Sequence, residues 1–204
     1  MLTRGDSCGT ITVSPAEWWI YPKKVTYNFG AGCKGKDGKF RAGELILNIG
    51  KVWEPNSVVS AEYKNYVEDT LKLDGKFTLT NNSVPGAANF NFKANDIKVT
   101  NKIGQTLSYN LDQTFKQVEG LNDWNWFNDA YDISGTASAI LPDGKNIMLV
   151  NCFCLRKSNV CNWVQQGLGN LKIDNNLITV DYGGNVCDND AVLTINGTKF
   201  PIKL

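Results

Sequence analysis

Apolar and polar residues alternate along most of the chain, in short stretches separated by Asn, Asp, Gly and Pro. Alternation with a period of two puts successive side chains on opposite faces of an extended strand. Thr10-Ile11-Thr12-Val13 reads as a first strand and Val25 to Phe29 as a second. Glu44 to Ile49, Val58 to Tyr63, Thr70 to Leu73 and Lys76 to Thr80 follow, the last two joined at Asp74-Gly75. Asp-Gly is a strong short hairpin signal because both residues tolerate positive φ. Asn89 to Phe92 and Ile97 to Thr100 read as a further hairpin through Ala94-Asn95-Asp96. Leu107 to Leu111 continues the series, and Ala137 to Leu141 meets Asn146 to Val150 through Pro142-Asp143-Gly144. The end reads as two hairpins, turning at Asn175-Asn176 and at Asn196-Gly197. No segment keeps a helical period over a dozen residues; the best helical candidate is the short run Tyr63 to Asp69. The pattern predicts an all-β chain, an antiparallel meander of about a dozen strands forming a sandwich or a rolled sheet.

Composition agrees. Asn occurs 24 times and Gly 19 times, against 6 Glu and 11 Ala, which favours turns over helices. No Pro/Ser-rich linker divides the chain, so residues 25–204 are expected to form a single domain, preceded by an extension, residues 1–24. That extension has strand character and is a candidate donor or docking strand. Added to a neighbouring subunit's sheet edge, it would build a homo-oligomer or filament.

The net charge of +1 removes the electrostatic case for nucleic acid as a partner. No apolar run is long enough for a transmembrane helix. Histidine is absent, which excludes Ser-His-Asp and Cys-His nucleophile systems. An enzyme would then need paired carboxylates or a lysine base. Asp123, Asp129 and Asp132 are close in sequence without any sign of a shared cleft, and Glu44, Glu62 and Glu119 are isolated. The chain therefore reads as non-catalytic, with no required cofactor.

Six cysteines favour an oxidising compartment, extracellular or at the cell surface, over the cytosol. No secretory signal peptide is visible at Met1-Leu2-Thr3-Arg4-Gly5, so an exported chain would have lost its leader before this numbering begins. If the first two strands form a hairpin centred near Trp19-Ile20-Tyr21, Cys8 lies about opposite Cys33, the first expected disulfide. Cys152 and Cys154 sit two apart on one strand face, and cysteines so placed rarely bond each other. Cys154 could meet Cys161 across the intervening turn, leaving Cys152 with Cys187. Free buried thiols and a thiolate metal site on Cys152, Cys154 and Cys161 remain as alternatives.

Two clusters could bind ligands. Asp181, Asp188, Asn189 and Asp190 gather around one tight turn and could hold Ca²⁺, or could simply cap the turn. Asn122 to Asp129 interleaves Trp124, Trp126 and Phe127 with amides and carboxylates. Flat rings flanked by hydrogen-bonding groups suit glycans, whose faces are apolar and whose edges are polar; the same rings could instead plug the core or an oligomer interface. Trp18-Trp19-Ile20-Tyr21 could do the same. Arg4-Gly5-Asp6, an integrin-type tripeptide, and the sequons at Asn81 and Asn196 read as chance matches.

A weak internal echo links Tyr27-Asn28-Phe29-Gly30-Ala31-Gly32-Cys33 with Val180-Asp181-Tyr182-Gly183-Gly184-Asn185-Val186-Cys187. The first of these, extended through Asp37-Gly38, Arg41 and Gly43, resembles the opening of a group of lipoproteins and exported proteins of unestablished function from Bacteroidota. The second, with Asp188-Asn189 and Asn196-Gly197, resembles that group's C-terminus. Asn65-Tyr66 and Asp132-Ile133-Ser134-Gly135 also fit its pattern. The resemblance implies an exported or surface-anchored all-β protein with no established activity. Asn28 stands where the group usually has Asp, and Cys8, Cys152 and Cys154 look additional.

Overall fold

The computed structural model describes residues 8–123, 125–174 and 176–204. Within it, thirteen strands form one sheet in sequence order, each strand beside its chain neighbours, and every paired register is antiparallel. The expected meander is present. The chain divides into two compact units, Met1–Asn81 with Lys93–Asn110, and Asn82–Phe92 with Leu111–Leu204.

The first unit holds β1 (Thr10–Ser14), β2 (Lys23–Lys34), β3 (Phe40–Ile49), β4 (Val58–Glu68) and β5 (Leu71–Asn81), and it shares β6 (Asn89–Asn101) and β7 (Thr106–Glu119) with the second. β1 pairs with β2 of its own chain, Thr12 opposite Thr26. The second unit adds β8 (Ala130–Ile140), β9 (Asn146–Ser158), β10 (Gln166–Ile173), β11 (Asn176–Gly184), β12 (Asp190–Ile195) and β13 (Thr198–Lys203).

Most of the strands are longer than the alternation suggests, because they run through positions that read as turns. β5 continues through Asp74-Gly75, and β6 through Ala94-Asn95-Asp96. Gly75 has φ +123° and Asp96 φ +50°. Positive φ is needed by a two-residue hairpin turn and equally by a β-bulge, so Asp-Gly alone cannot separate the two. At Gly75 the backbone also runs close to that of β6. A Cβ there would lie 2.8 Å from the Ile97 Cα. The true turn between β4 and β5 is five residues earlier, at Asp69-Thr70, where Glu68 faces Leu71 and Asp69 has φ +54°.

The helical candidate Tyr63 to Asp69 is a strand up to Glu68, for the same reason. Asn65, at φ +50°, adds a residue between Tyr63 and Tyr66, and the register shifts there. The two tyrosines consequently meet, ring centroids 5.1 Å apart, at a spacing of three that imitates a helix turn. They extend into a column of rings: Phe29 contacts Tyr66 at 5.9 Å, and Phe77 contacts Tyr63 at 5.9 Å. Each such pair contributes about 1 kcal/mol beyond its buried area. With buried Ala94 and Ile97, this column is the core of the first unit. In the second unit the buried apolar residues are small: Ala130, Cys161 and Ala191.

Two disulfides are present among the described residues. Cys8–Cys33 forms as expected, although the β1–β2 register alone would place Cys8 opposite Gly30. The irregular stretch from Gly30 to Cys33 supplies the offset. Cys161 bonds Cys187, which overturns the expected Cys154–Cys161 and Cys152–Cys187 pairs. Cys161 lies in the β9–β10 connection and Cys187 in the β11–β12 connection, and in a meander both connections fall at the same end of the unit. The side chains of Cys152 and Cys154 lie outside the described residues.

Candidate binding site

The loop from Gly120 to Asp129, between β7 and β8, is built almost entirely from Asx hydrogen bonds. Asp123 Oδ1 accepts from the Asn125 N–H at 2.9 Å, and Asn125 Oδ1 accepts from the Phe127 N–H at 3.3 Å. The second bond caps a single 3₁₀ turn, Trp126–Asn128. Asn128 Nδ2 returns to Asp123 Oδ2 at 3.0 Å, closing the loop on itself. These donors hold the Asp123 carboxyl below its ordinary range, the Asn128 amide first and the Asn125 N–H second.

Two further anchors fix the loop to the sheet. Asn159, after β9, donates its Nδ2 to the Trp126 carbonyl at 2.7 Å and its N–H to the Asp129 carbonyl at 3.0 Å. Beneath, the buried Asp129 carboxylate accepts from Gln117 Nε2 at 2.8 Å and from the Tyr131 hydroxyl at 3.0 Å. Burial, with Asp129 beside it, pushes the Tyr131 hydroxyl up to about 12. Gln117 Nε2 also donates to the Gly120 carbonyl at 2.9 Å.

Asp123, Asn125 and Asn128 bond within the loop and are exposed, as are the rings. Trp126 and Phe127 stack with centroids 4.0 Å apart and planes 29° apart, and they are 59% and 57% exposed. An exposed ring pair held on a braced turn is a preorganised apolar platform, and Asp123 and Asn128 of the same loop are exposed with it. Trp124, the third expected ring, lies outside the described residues.

The first unit carries its own exposed rings. Trp18 and Trp19 meet edge to face at 5.6 Å in the β1–β2 loop. Tyr21 meets Trp53, from the β3–β4 loop, at 5.4 Å. Lys23 is buried and braces this loop by donating to the Pro15 carbonyl at 2.8 Å and to the Glu17 carbonyl. Trp53 and Trp163 were not singled out from the sequence. The signal for them is parity: every described tryptophan lies in a connection from an odd-numbered to the next even-numbered strand. In an antiparallel meander such connections share one end of each unit, while the opposite turns are short and rich in Gly, Asp and Asn.

The acidic candidates behave differently. Asp181, Asp188 and Asp190 line one cleft of about 260 Å³. Yet Asp181 Oδ1 accepts from the Gly183 N–H at 2.9 Å, Asp188 Oδ1 from the Asp190 N–H at 2.9 Å, and Asp190 pairs with Lys203. Among the described residues no three His, Cys, Asp or Glu side chains are placed to hold a metal ion. Asp181 and Asp188 each cap a turn with one carboxylate oxygen. The echo segment does the same: Asn28 Oδ1 accepts from the Gly30 N–H at 2.8 Å.

A cleft of about 380 Å³ beside Cys8–Cys33 is lined by Tyr27, Phe29, Lys36, Asp37 and Arg41, among others. Its arginine is committed. Arg41 makes a two-pronged contact with Asp37 at 2.7 and 3.1 Å and reaches Glu68 at 3.0 Å. Arg41, followed by the Lys39 N–H, holds the Asp37 carboxyl down at about 2. Of the carboxylates considered for catalysis, Asp132 is paired with Arg156 at 2.9 Å, and Asp123 and Asp129 are held as described. Asn81, the first sequon residue, is buried and donates to the Val52 carbonyl at 2.8 Å. No helix among the described residues is long and apolar enough to cross a membrane.

No protein-family model, no curated protein and no solved structure matches the chain.

Proposed function

We propose that this chain is a non-catalytic adhesive β-protein of an extracellular or cell-surface compartment, and that it holds carbohydrate through ring-bearing loops. The observation that carries the reading is the Trp126–Phe127 pair. Two large rings remain more than half exposed on a turn that several hydrogen bonds keep rigid. Burying them in a core would recover roughly 2 kcal/mol or more for each ring, so their exposure is costly unless a ligand covers them. Sugar faces stack on such rings, and the exposed Asp123 carboxylate and Asn128 amide of the same loop suit hydroxyl groups. The two disulfides support an oxidising compartment, as does the resemblance of the two echo motifs to exported proteins of Bacteroidota. Pairing of the Asp123, Asp129 and Asp132 carboxylates with structural partners supports the absence of catalysis.

The test is binding to an array of plant, algal and bacterial polysaccharides, followed by calorimetry on any that bind. Trp126→Ala with Phe127→Ala should weaken binding at least tenfold with the melting temperature unchanged. Binding that survives loss of both rings, or a chain that binds no polysaccharide, refutes the reading.

A further inference from the structure

The two outer strands of the sheet differ in how they meet the surroundings. At the β13 side, the Leu204 N–H donates to the Asn189 carbonyl at 2.9 Å. Alternation along the β12–β13 register then directs the backbone groups of Ile202, Phe200 and Thr198 at β12. Lys199, Pro201 and Lys203 face outward. Pro201 has no N–H to offer, and the two lysines repel a matching strand, so this edge is blunted.

The β1 side carries no such protection. The Gly50 N–H donates to the Val58 carbonyl at 3.0 Å, which sets the alternation on β3. Leu45, Leu47 and Ile49 therefore face β2, and Tyr27, Val25 and Lys23 face β3. Thr10, Thr12 and Ser14 face β2 in turn, which leaves Ile11 and Val13 directed outward. Among the described residues β1 has one neighbour, β2. Its sequence, TITVS, has no charge and no proline, and Val13 is 39% exposed. The strand is also held taut. Cys8–Cys33 ties its start, and Lys23 ties the chain beyond its end through the Pro15 and Glu17 carbonyls.

We infer that β1 is a docking edge for a second copy of this chain, giving a closed dimer with β1 antiparallel to β1. A twofold axis through Thr12 sets Ile11 against Val13 of the second copy, twice over. These are the two residues whose backbone groups point outward. The pairing brings β-branched side chains together and opposes no like charges, which is the favourable case for cross-strand neighbours. A strand fixed at both ends loses little further freedom on docking. β13 cannot serve as the complementary edge, so the assembly ends at two copies and does not propagate as a filament. The inference is independent of the carbohydrate reading, since it concerns neither ring cluster.

The full chain should sediment as a monomer–dimer equilibrium, and Val13→Lys should raise the dissociation constant at least tenfold without lowering the melting temperature. Cross-linking fixes the register. At the twofold, the two Thr12 residues form a non-hydrogen-bonded pair about 4.5 Å apart at Cα, within the span of a disulfide. The two Thr10 residues are displaced by about 13 Å along the strands. Thr12→Cys should therefore give a covalent dimer under mild oxidation, and Thr10→Cys should not exceed the wild-type background. A monomer at every concentration, assemblies larger than two, or equal cross-linking at both positions would each overturn the inference.

Discussion

Gly30 and Gly43 face each other across β2 and β3, both at positive φ, +57° and +79°. Alanine at either position faces the same conformational penalty, about 1 kcal/mol. Their surroundings differ. A Cβ on Gly30 would meet nothing within 4 Å, whereas a Cβ on Gly43 would lie 2.1 Å from the Asn65 carbonyl oxygen and 2.8 Å from that of Lys64. Those oxygens belong to the bulge of β4, which cannot retreat without disturbing its own ladder. Overpacking of this kind adds about 2 kcal/mol. Gly43→Ala should thus cost about 3 kcal/mol and Gly30→Ala about 1 kcal/mol. For a chain of this length that corresponds to roughly 6–12 °C and 2–4 °C of melting temperature. Thermal unfolding followed by circular dichroism, with denaturant titration as a second measure, reads both. Because the two residues are opposite each other in one unit, any departure from two-state unfolding affects them alike. Equal losses, or a larger loss at Gly30, would show that the close approach of β3 to the β4 bulge is not what requires glycine at Gly43.

Three further outcomes follow from the described contacts. Asp129→Ala leaves the Gln117 amide and the Tyr131 hydroxyl without their buried acceptor, and it should cost about 2–3 kcal/mol and alter Trp126 fluorescence; an unchanged melting curve would contradict the bracing role. Tyr131 has its pKa raised to about 12, so its contribution to stability is complete below the ordinary tyrosine value and is lost as pH rises from there through about 12. Tyr131→Phe should remove that alkaline loss, and a phenolate titrating at the ordinary value in the wild type would refute it. Replacing Cys8 and Cys33 together by alanine opens a crosslink with a sequence separation of 25. By loop-closure entropy this should cost about 3.5 kcal/mol, measured by denaturant unfolding, and no loss would show that β1 is held by its hydrogen bonds alone.

Strand identity was legible because half-buried strands alternate, and the hairpins at Pro142-Asp143-Gly144 and Asn196-Gly197 stand where the pattern puts them. The failures share one cause. A mid-strand bulge uses the residues a turn uses, so Asp74-Gly75 and Asn95-Asp96 divided strands that are continuous. The extra residue at Asn65 shifted the alternation and made Tyr63 and Tyr66 look helical. Cys8–Cys33 could be counted along one hairpin. Cys161–Cys187 could not, because it joins two loops separated by β10 and β11. Trp126 and Phe127 were visible as residue types, whereas the bracing by Asn159 and Asp129 depends on strand pairing that no local pattern specifies.

The strictly sequential strand order has a consequence for how the sheet assembles. Each strand after the first finds a template already laid down by the residues ahead of it. A polypeptide emerging amino end first can therefore knit its ladder row by row, with no early segment kept waiting for a distant late one. Contacts of this local kind keep loop-closure entropy small at every step.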